Sequence, residues 1–88
     1  MDAAKPKKTA RLDGIISVEP LAEFTHMGFN FFVYSDNQYN YVVEETTGLA
    51  VLWTVEKNTM GIVNHAKIIL NSIGVDEIKK EIQKHAKI

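Results

Sequence analysis

Residues 38–58, QYNYVVEETTGLAVLWTVEKN, decide the fold because they have the pattern of two strands joined by a tight turn. Aromatic and β-branched residues fill both halves of the stretch, and such residues favour strands. Between the halves, Thr46-Thr47-Gly48 matches a three-residue hairpin loop with glycine at the left-handed position. We therefore predict strands over residues 39–45 and 49–55, paired antiparallel.

The residues before this stretch extend the same sheet. The run MGFNFFVY, residues 27–34, predicts a preceding strand, and Asp36-Asn37 supplies turn residues for a hairpin loop over 35–38. An earlier strand is predicted over 14–19 and ends at Pro20, which has no amide hydrogen to donate. The pattern leaves residues 21–25 open between a strand and a helical turn.

After residue 57 the apolar period changes from two to about three and a half, which indicates helices. Asn58 or Thr59 is the expected cap of the first helix, and Gly74 is its expected end. Asp76 is the expected cap of a second helix. The predicted fold is α+β, an antiparallel three- or four-stranded β-meander followed by two C-terminal α-helices packed on one face. The apolar stripes of the two helices are predicted to be Ile62, Val63, Ala66, Ile69, Leu70 and Ile73 in the first and Ile78, Ile82 and Ala86 in the second.

The chain length of 88 residues predicts a single domain. Residues 14–88 are assigned to that α+β domain, and residues 1–13 to a flexible basic N-terminal arm, because Pro6 and the lysines around it show no apolar period. The chain has no cysteine, so it has neither disulfides nor thiolate metal ligands. The basic N-terminus is followed by no apolar stretch, which predicts an intracellular, soluble protein without a secretory signal peptide.

Charge is segregated along the sequence although the formal net charge is only -1. Residues 1–11 sum to +3, and residues 57–88 also sum to +3. Residues 12–56 contain seven acidic side chains and no lysine or arginine, a sum of -7. The central part of the chain, which holds the predicted sheet, is therefore acidic.

The predicted register places most aromatic residues on one face of the sheet. Pairing Tyr34 with Tyr39 and Glu45 with Leu49 gives two faces by strand alternation. The first face carries Phe32, Tyr34, Tyr39, Tyr41, Val43, Val51, Trp53 and Val55. The second carries Phe29, Phe31, Val33, Val42, Ala50 and Leu52.

Both faces are too apolar to be left bare, and two short helices cover only one of them. The aliphatic helices match the second face, so we expect the tyrosine and tryptophan face to be turned away from them. The segment 12–24, a second copy of the chain or a partner protein would then cover it. Its aromatic residues are either core and cross-strand pairs or anchors for a partner.

The function that this pattern favours is a small non-enzymatic protein–protein interaction module, such as an inhibitor or regulatory subunit, that docks an acidic aromatic surface on a basic partner. A homodimer is a further expectation. The predicted partner-binding residues are Phe32, Tyr34, Tyr39, Tyr41 and Trp53 as anchors, with Glu44 and Glu45 as the charged rim.

The alternative is a nucleic-acid-binding protein that uses the two basic ends of the chain. Its candidate phosphate contacts are Lys5, Lys7, Lys8, Arg11, Lys79, Lys80 and Lys84. The basic stretch KPKK at residues 5–8 also has the composition of a nuclear targeting signal, so the sequence does not separate the cytoplasm, our first expectation, from the nucleus.

We expect no catalytic activity, no cofactor and no metal. His26, His65 and His85 are far apart in sequence and form no ligand motif. Glu44 and Glu45 are neighbours on a strand, so their side chains should point to opposite faces rather than act as a pair.

Overall fold

The chain folds into a four-stranded antiparallel sheet with two helices on one face and a separate β-hairpin on the other. The structure is a computed structural model that describes residues 7–11, 14–36 and 38–85, with Ala10, Arg11 and His85 described by their backbone alone. The elements in chain order are β1 (Lys7–Arg11), β2 (Gly14–Val18), β3 (Ala22–His26), β4 (Phe29–Ser35), β5 (Asn40–Glu44), β6 (Ala50–Thr54), α1 (Thr59–Ile73) and α2 (Val75–His85).

The predicted meander is confirmed in its four-stranded form, with strand order β3-β4-β5-β6. The segment after Pro20, for which the sequence left a strand and a helical turn as alternatives, forms strand β3. It joins β4 through a two-residue turn in which Met27 and Gly28 have φ of 53° and 82°. Positive φ at both central residues is the mark of a type I′ hairpin, a turn that matches the twist of the paired strands.

The first predicted register is wrong by two residues. Tyr34 pairs with Tyr41, and Ser35 pairs with Asn40. The loop is displaced toward the C-terminus because the Asp36 carboxylate accepts the backbone N–H groups of Gln38 and Tyr39 and so closes the turn there. A shift of two residues keeps each side chain on its face, so the predicted faces of β4 and β5 are unchanged.

The second predicted register is right at Tyr41, which faces Trp53, and at Val42, which faces Leu52, and is wrong from Val43 onward. A β-bulge between Val42 and Val43 places Val43 opposite Ala50 instead of Val51. Val51 consequently packs against the helix side of the sheet rather than lying on the aromatic face.

The two helices cover the face that carries Phe31, Val33 and Val42. Asn58 caps α1 by accepting the N–H of Gly61, and Gly74 ends it with its own N–H on the carbonyl of Leu70. Since residues three and four apart share a helix face, α1 presents one apolar stripe to the sheet. The buried members of the stripe are Ile62, Ala66 and Leu70 from α1 and Ile78 from α2.

The structure differs from the expected arm at residues 7–11. This segment is strand β1 and pairs antiparallel with β2 over five residue pairs, from Lys7 with Val18 to Arg11 with Gly14. Residues 1–6, 12 and 13 of the expected arm lie outside the described residues. The sequence did not predict this strand because it is rich in lysine and shows no apolar alternation. Contacts with acidic residues of the four-stranded sheet stabilise it.

The helix stripe gives a stability prediction. Leu70 is fully buried on α1, whereas Ile68, two residues earlier, is 67% exposed. We expect Leu70→Ala to lower the free energy of unfolding by about 2–5 kcal/mol, because it removes methyl groups from a packed core. Ile68→Ala should change it by about 0.5 kcal/mol or less. Urea unfolding followed by circular dichroism measures both, and equal effects would contradict the packing described for α1.

Candidate protein-binding surface

The β1–β2 hairpin divides the aromatic face of the sheet. Beneath the hairpin, Phe32, Tyr34 and Val43 form a second small core with Val18 and Tyr41 packed against it. Phe32 and Tyr34 are therefore buried residues and not accessible anchors. This outcome is the one that the sequence offered through the segment 12–24, although strand β1 contributes to it as well.

The hairpin leaves the β6 end of the aromatic face uncovered. Trp53 is 63% exposed and Val55 is 68% exposed. The ring of Tyr39 packs edge-on against Trp53, with 5.0 Å between the ring centroids. Tyr39 and Val55 also line a shallow depression together with Leu21, which is 59% exposed. We call these four residues, Leu21, Tyr39, Trp53 and Val55, the Trp53 surface.

A chain of aromatic contacts connects this surface to the buried core. Tyr39 meets Tyr41 edge-on at 6.3 Å between centroids, and Tyr41 stacks on Tyr34 at 4.8 Å. The Tyr41 hydroxyl donates to the carboxylate of Asp36 at 2.8 Å, the same carboxylate that closes the β4–β5 turn. The exposed Trp53 ring is therefore held by packed neighbouring rings, and its side chain would lose little conformational entropy when a partner binds.

The two predicted rim carboxylates are engaged within the chain. Glu44 is only 3% exposed, and its carboxylate accepts the backbone N–H groups of Thr46 and Thr47 at 2.7 and 2.8 Å. Glu45 accepts a hydrogen bond from the Lys7 ammonium at 2.7 Å. Glu44 thus holds the β5–β6 turn, and Glu45 holds the hairpin, so neither side chain forms the rim that the sequence predicted.

Lys7 is the main polar attachment of the hairpin. Its ammonium lies 2.7 Å from Glu45 and 3.3 Å from Glu23, which joins β1 to the end of β5 and to the edge strand β3. The hydrogen bond that Lys7 donates to Glu45 raises the pKa of Lys7 above its ordinary 10.5, and burial partly opposes this shift. Nearby, the Thr9 hydroxyl donates to the carbonyl of Gly48 at 2.9 Å and is itself buried.

The predicted nucleic-acid contacts do not form one surface with the aromatic rings. Lys7 is paired as described, while Lys8 on β1 and Lys79, Lys80 and Lys84 on α2 are exposed. Helix α2 packs on the sheet face opposite the aromatic one. The side chains of Lys5 and Arg11 lie outside the described residues.

The histidines have unrelated surroundings in the described part of the chain. His26 shares a hydrogen bond between its Nε2 and the Asn71 side-chain oxygen at 2.8 Å, and His65 is exposed on α1. The side chain of His85 is not described. Within residues 7–11, 14–36 and 38–85, no three histidine or acidic side chains gather in a metal-binding arrangement. Neither described helix combines the length and the apolar character that crossing a membrane requires.

No family model, curated protein or solved structure matches this chain.

The Lys7 attachment predicts a specific pH dependence. Because the folded-state pKa of Lys7 lies above the 10.5 of the unfolded chain, the pair stabilises the fold fully below about pH 10.5. That contribution is lost as pH rises through the folded-state pKa. Wild-type protein should therefore lose more stability than Lys7→Met as pH rises above 10.5. The difference between the urea midpoints of the two proteins isolates the contribution of Lys7, and parallel curves would contradict the attachment.

The role of Glu44 gives another prediction. Glu44→Ala leaves the N–H groups of Thr46 and Thr47 without their acceptor and should lower the free energy of unfolding by about 1–3 kcal/mol. Glu19→Ala, at an exposed position directly after β2, should change the free energy of unfolding by about 0.5 kcal/mol or less. Chemical denaturation measures both, and a neutral Glu44→Ala would show that the turn does not need the carboxylate.

Proposed function

We propose that this chain is a small non-enzymatic protein–protein interaction module that docks its Trp53 surface on a basic partner, as an inhibitor or regulatory subunit would. The proposal rests on one observation, the 63% exposure of the single tryptophan at the uncovered end of an otherwise covered aromatic face. Tryptophan and tyrosine are enriched among the few residues that dominate binding energy at interfaces.

The exposure of Trp53 is not required by the fold. The hairpin buries Phe32, Tyr34 and Val43 on the same face, and these residues form the second core without Trp53. An exposed tryptophan ring leaves a large apolar area in contact with water, and a bound partner would bury that area. Tyr39 holds the ring in place, which reduces the ordering cost of binding.

The charge around the Trp53 surface favours a basic partner. Asp36 lines the same depression as Tyr39 and Val55, and exposed Glu56 follows Val55 directly. Lys57 also lines the depression. It is the first basic side chain after Arg11, because residues 12–56 contain no lysine or arginine. Charge complementarity of this kind raises association rates and disfavours acidic competitors.

The nucleic-acid alternative has weaker support. Stacking of single-stranded bases requires aromatic rings beside a cationic groove. Here the exposed α2 lysines and the aromatic rings lie on opposite faces, and Lys7 is drawn into contacts with Glu45 and Glu23. We propose an intracellular location together with this function.

The proposal is tested by Trp53→Ala in pull-downs from the native cells, with nuclease added to remove nucleic acid. Proteins retained by wild type and lost by Trp53→Ala are the candidate partners, and their affinity is then measured by calorimetry with purified protein. We expect the dissociation constant to rise about 30-fold or more, the effect of removing a central aromatic anchor.

Ile68→Ala is the matched control, since Ile68 is equally exposed but lies on α1. It should bind as wild type does, and both variants should keep the wild-type circular dichroism spectrum. Binding that survives Trp53→Ala, or that is abolished by nuclease, would refute the proposed function.

A further inference from the structure

Strand β6 is an edge of the sheet that carries neither a charge nor a proline, although it is short and contains the bulge at Val51. It has β5 as its one strand neighbour among the described residues. Residues 49–55, LAVLWTV, contain no charge and no proline. Natural edge strands are normally blunted by charges, prolines or a covering element, because their unpaired backbone groups template the addition of another strand.

The opposite edge, β3, shows this protection within the same sheet. Glu23 on β3 carries a charge that contacts Lys7 of the hairpin. His26 at the end of β3 is bonded to Asn71 of α1, and the Lys67 ammonium lies 6.0 Å from the centre of the Phe24 ring. The contrast makes the bare β6 edge a specific feature rather than a general property of the sheet.

The backbone groups that point outward from β6 follow from the hydrogen-bond pattern. The N–H of Glu44 donates to the carbonyl of Leu49, so Glu44 directs its backbone groups toward β6. Alternation along β5 gives the same direction to Val42 and Asn40, whose partners are Leu52 and Thr54. The backbone groups of Trp53 and Val55 therefore point away from β5.

The outward direction at Val55 has independent support. The carbonyl of Glu56 accepts the side-chain amide of Asn40, so Glu56 faces β5 and Val55 faces outward. Trp53 and Val55, the two most exposed large apolar residues of segment 49–55, thus also direct their backbone groups away from β5. One edge offers main-chain hydrogen bonds and apolar side-chain contacts together.

We infer that β6 binds an extended segment of another protein by strand addition, and that this segment carries lysine or arginine. The inference rests on the proposed function and names the mode of binding at the same surface. Main-chain hydrogen bonds would supply affinity, and alternate side chains would contact Trp53 and Val55. Basic residues at the end of the added strand would meet Glu56 and Asp36.

Charge argues against a second copy of this chain as the occupant. Two copies joined through β6 would bring the exposed acidic residues beside the Trp53 surface, Asp36 and Glu56, from both copies to one interface. Like charges placed side by side across an interface are destabilising. A basic strand has the opposite relation to the same groups.

The probe is an acetylated, amidated hexapeptide of sequence Lys-Val-Thr-Val-Lys-Val, titrated into ¹⁵N-labelled protein. A second peptide has the same sequence with every second amide N-methylated, which blocks pairing along one edge. A third has glutamate in place of both lysines. We expect the first peptide to shift the amides of Trp53 and Val55 and to slow their hydrogen exchange, and the other two to have much smaller effects.

A matched pair of variants tests the same bond from the protein side. Val55→Pro removes the outward N–H without removing a bond to β5, a position at which edge strands tolerate proline. Val55→Ala shortens the side chain and keeps the N–H. The dissociation constant of Val55→Pro for the first peptide should exceed that of Val55→Ala about two- to tenfold, the effect of one hydrogen bond.

Several outcomes would overturn strand addition at β6. These are equal binding of the N-methylated peptide, equal affinity of the two Val55 variants, the absence of peptide binding, and shifts confined to another surface. Concentration-dependent shifts at β6 without peptide would identify a second copy as the occupant and also overturn it. If Trp53→Ala still loses the cellular partner in any of these cases, the proposed function stands without strand addition. If Trp53→Ala binds that partner as wild type does, the proposed function itself fails.

Discussion

The four-stranded sheet has two apolar faces, and the residues that the structure describes form one pair of helices, which covers one of them. The second face is covered by the β1–β2 hairpin, which is attached through the contacts of Lys7 with Glu45 and Glu23 and of Thr9 with Gly48. The hairpin shields the middle of the face and stops before β6. Which aromatic residues are core and which are accessible is therefore set by the width of that hairpin.

Much of the fold could be predicted from local patterns. The alternation in residues 38–58 and the change of period after residue 57 gave the meander and the helices, and the caps at Asn58 and Gly74 were right. The side-chain faces of β4 and β5 were also right although the register was not, because a slip of two residues preserves the face. These features depend on neighbours in sequence, which composition and period describe well.

The parts that could not be predicted depend on contacts distant in sequence. Strand β1 carries two lysines in five residues, and its attachment comes from carboxylates on β3 and at the end of β5. The bulge that turns Val51 toward the helices leaves no composition signal in residues 49–55. Glu44 and Glu45 were assigned to one charged rim because their hydrogen-bond acceptor role was invisible without the turn and the hairpin around them.

The distribution of negative charge follows from the same constraint. Of the seven acidic side chains in residues 12–56, Glu23 and Glu45 contact Lys7, and Glu44 bonds to the β5–β6 turn. Asp13 lies outside the described residues, which leaves Glu19, Asp36 and Glu56 exposed. Two of these three, Asp36 and Glu56, lie beside the Trp53 surface. Both carboxylates accept hydrogen bonds within the chain, Asp36 from Gln38, Tyr39 and Tyr41 and Glu56 from Asn58, yet both residues stay exposed. Negative charge and exposed aromatic area therefore occur together at one end of the sheet, and a basic strand would recognise both.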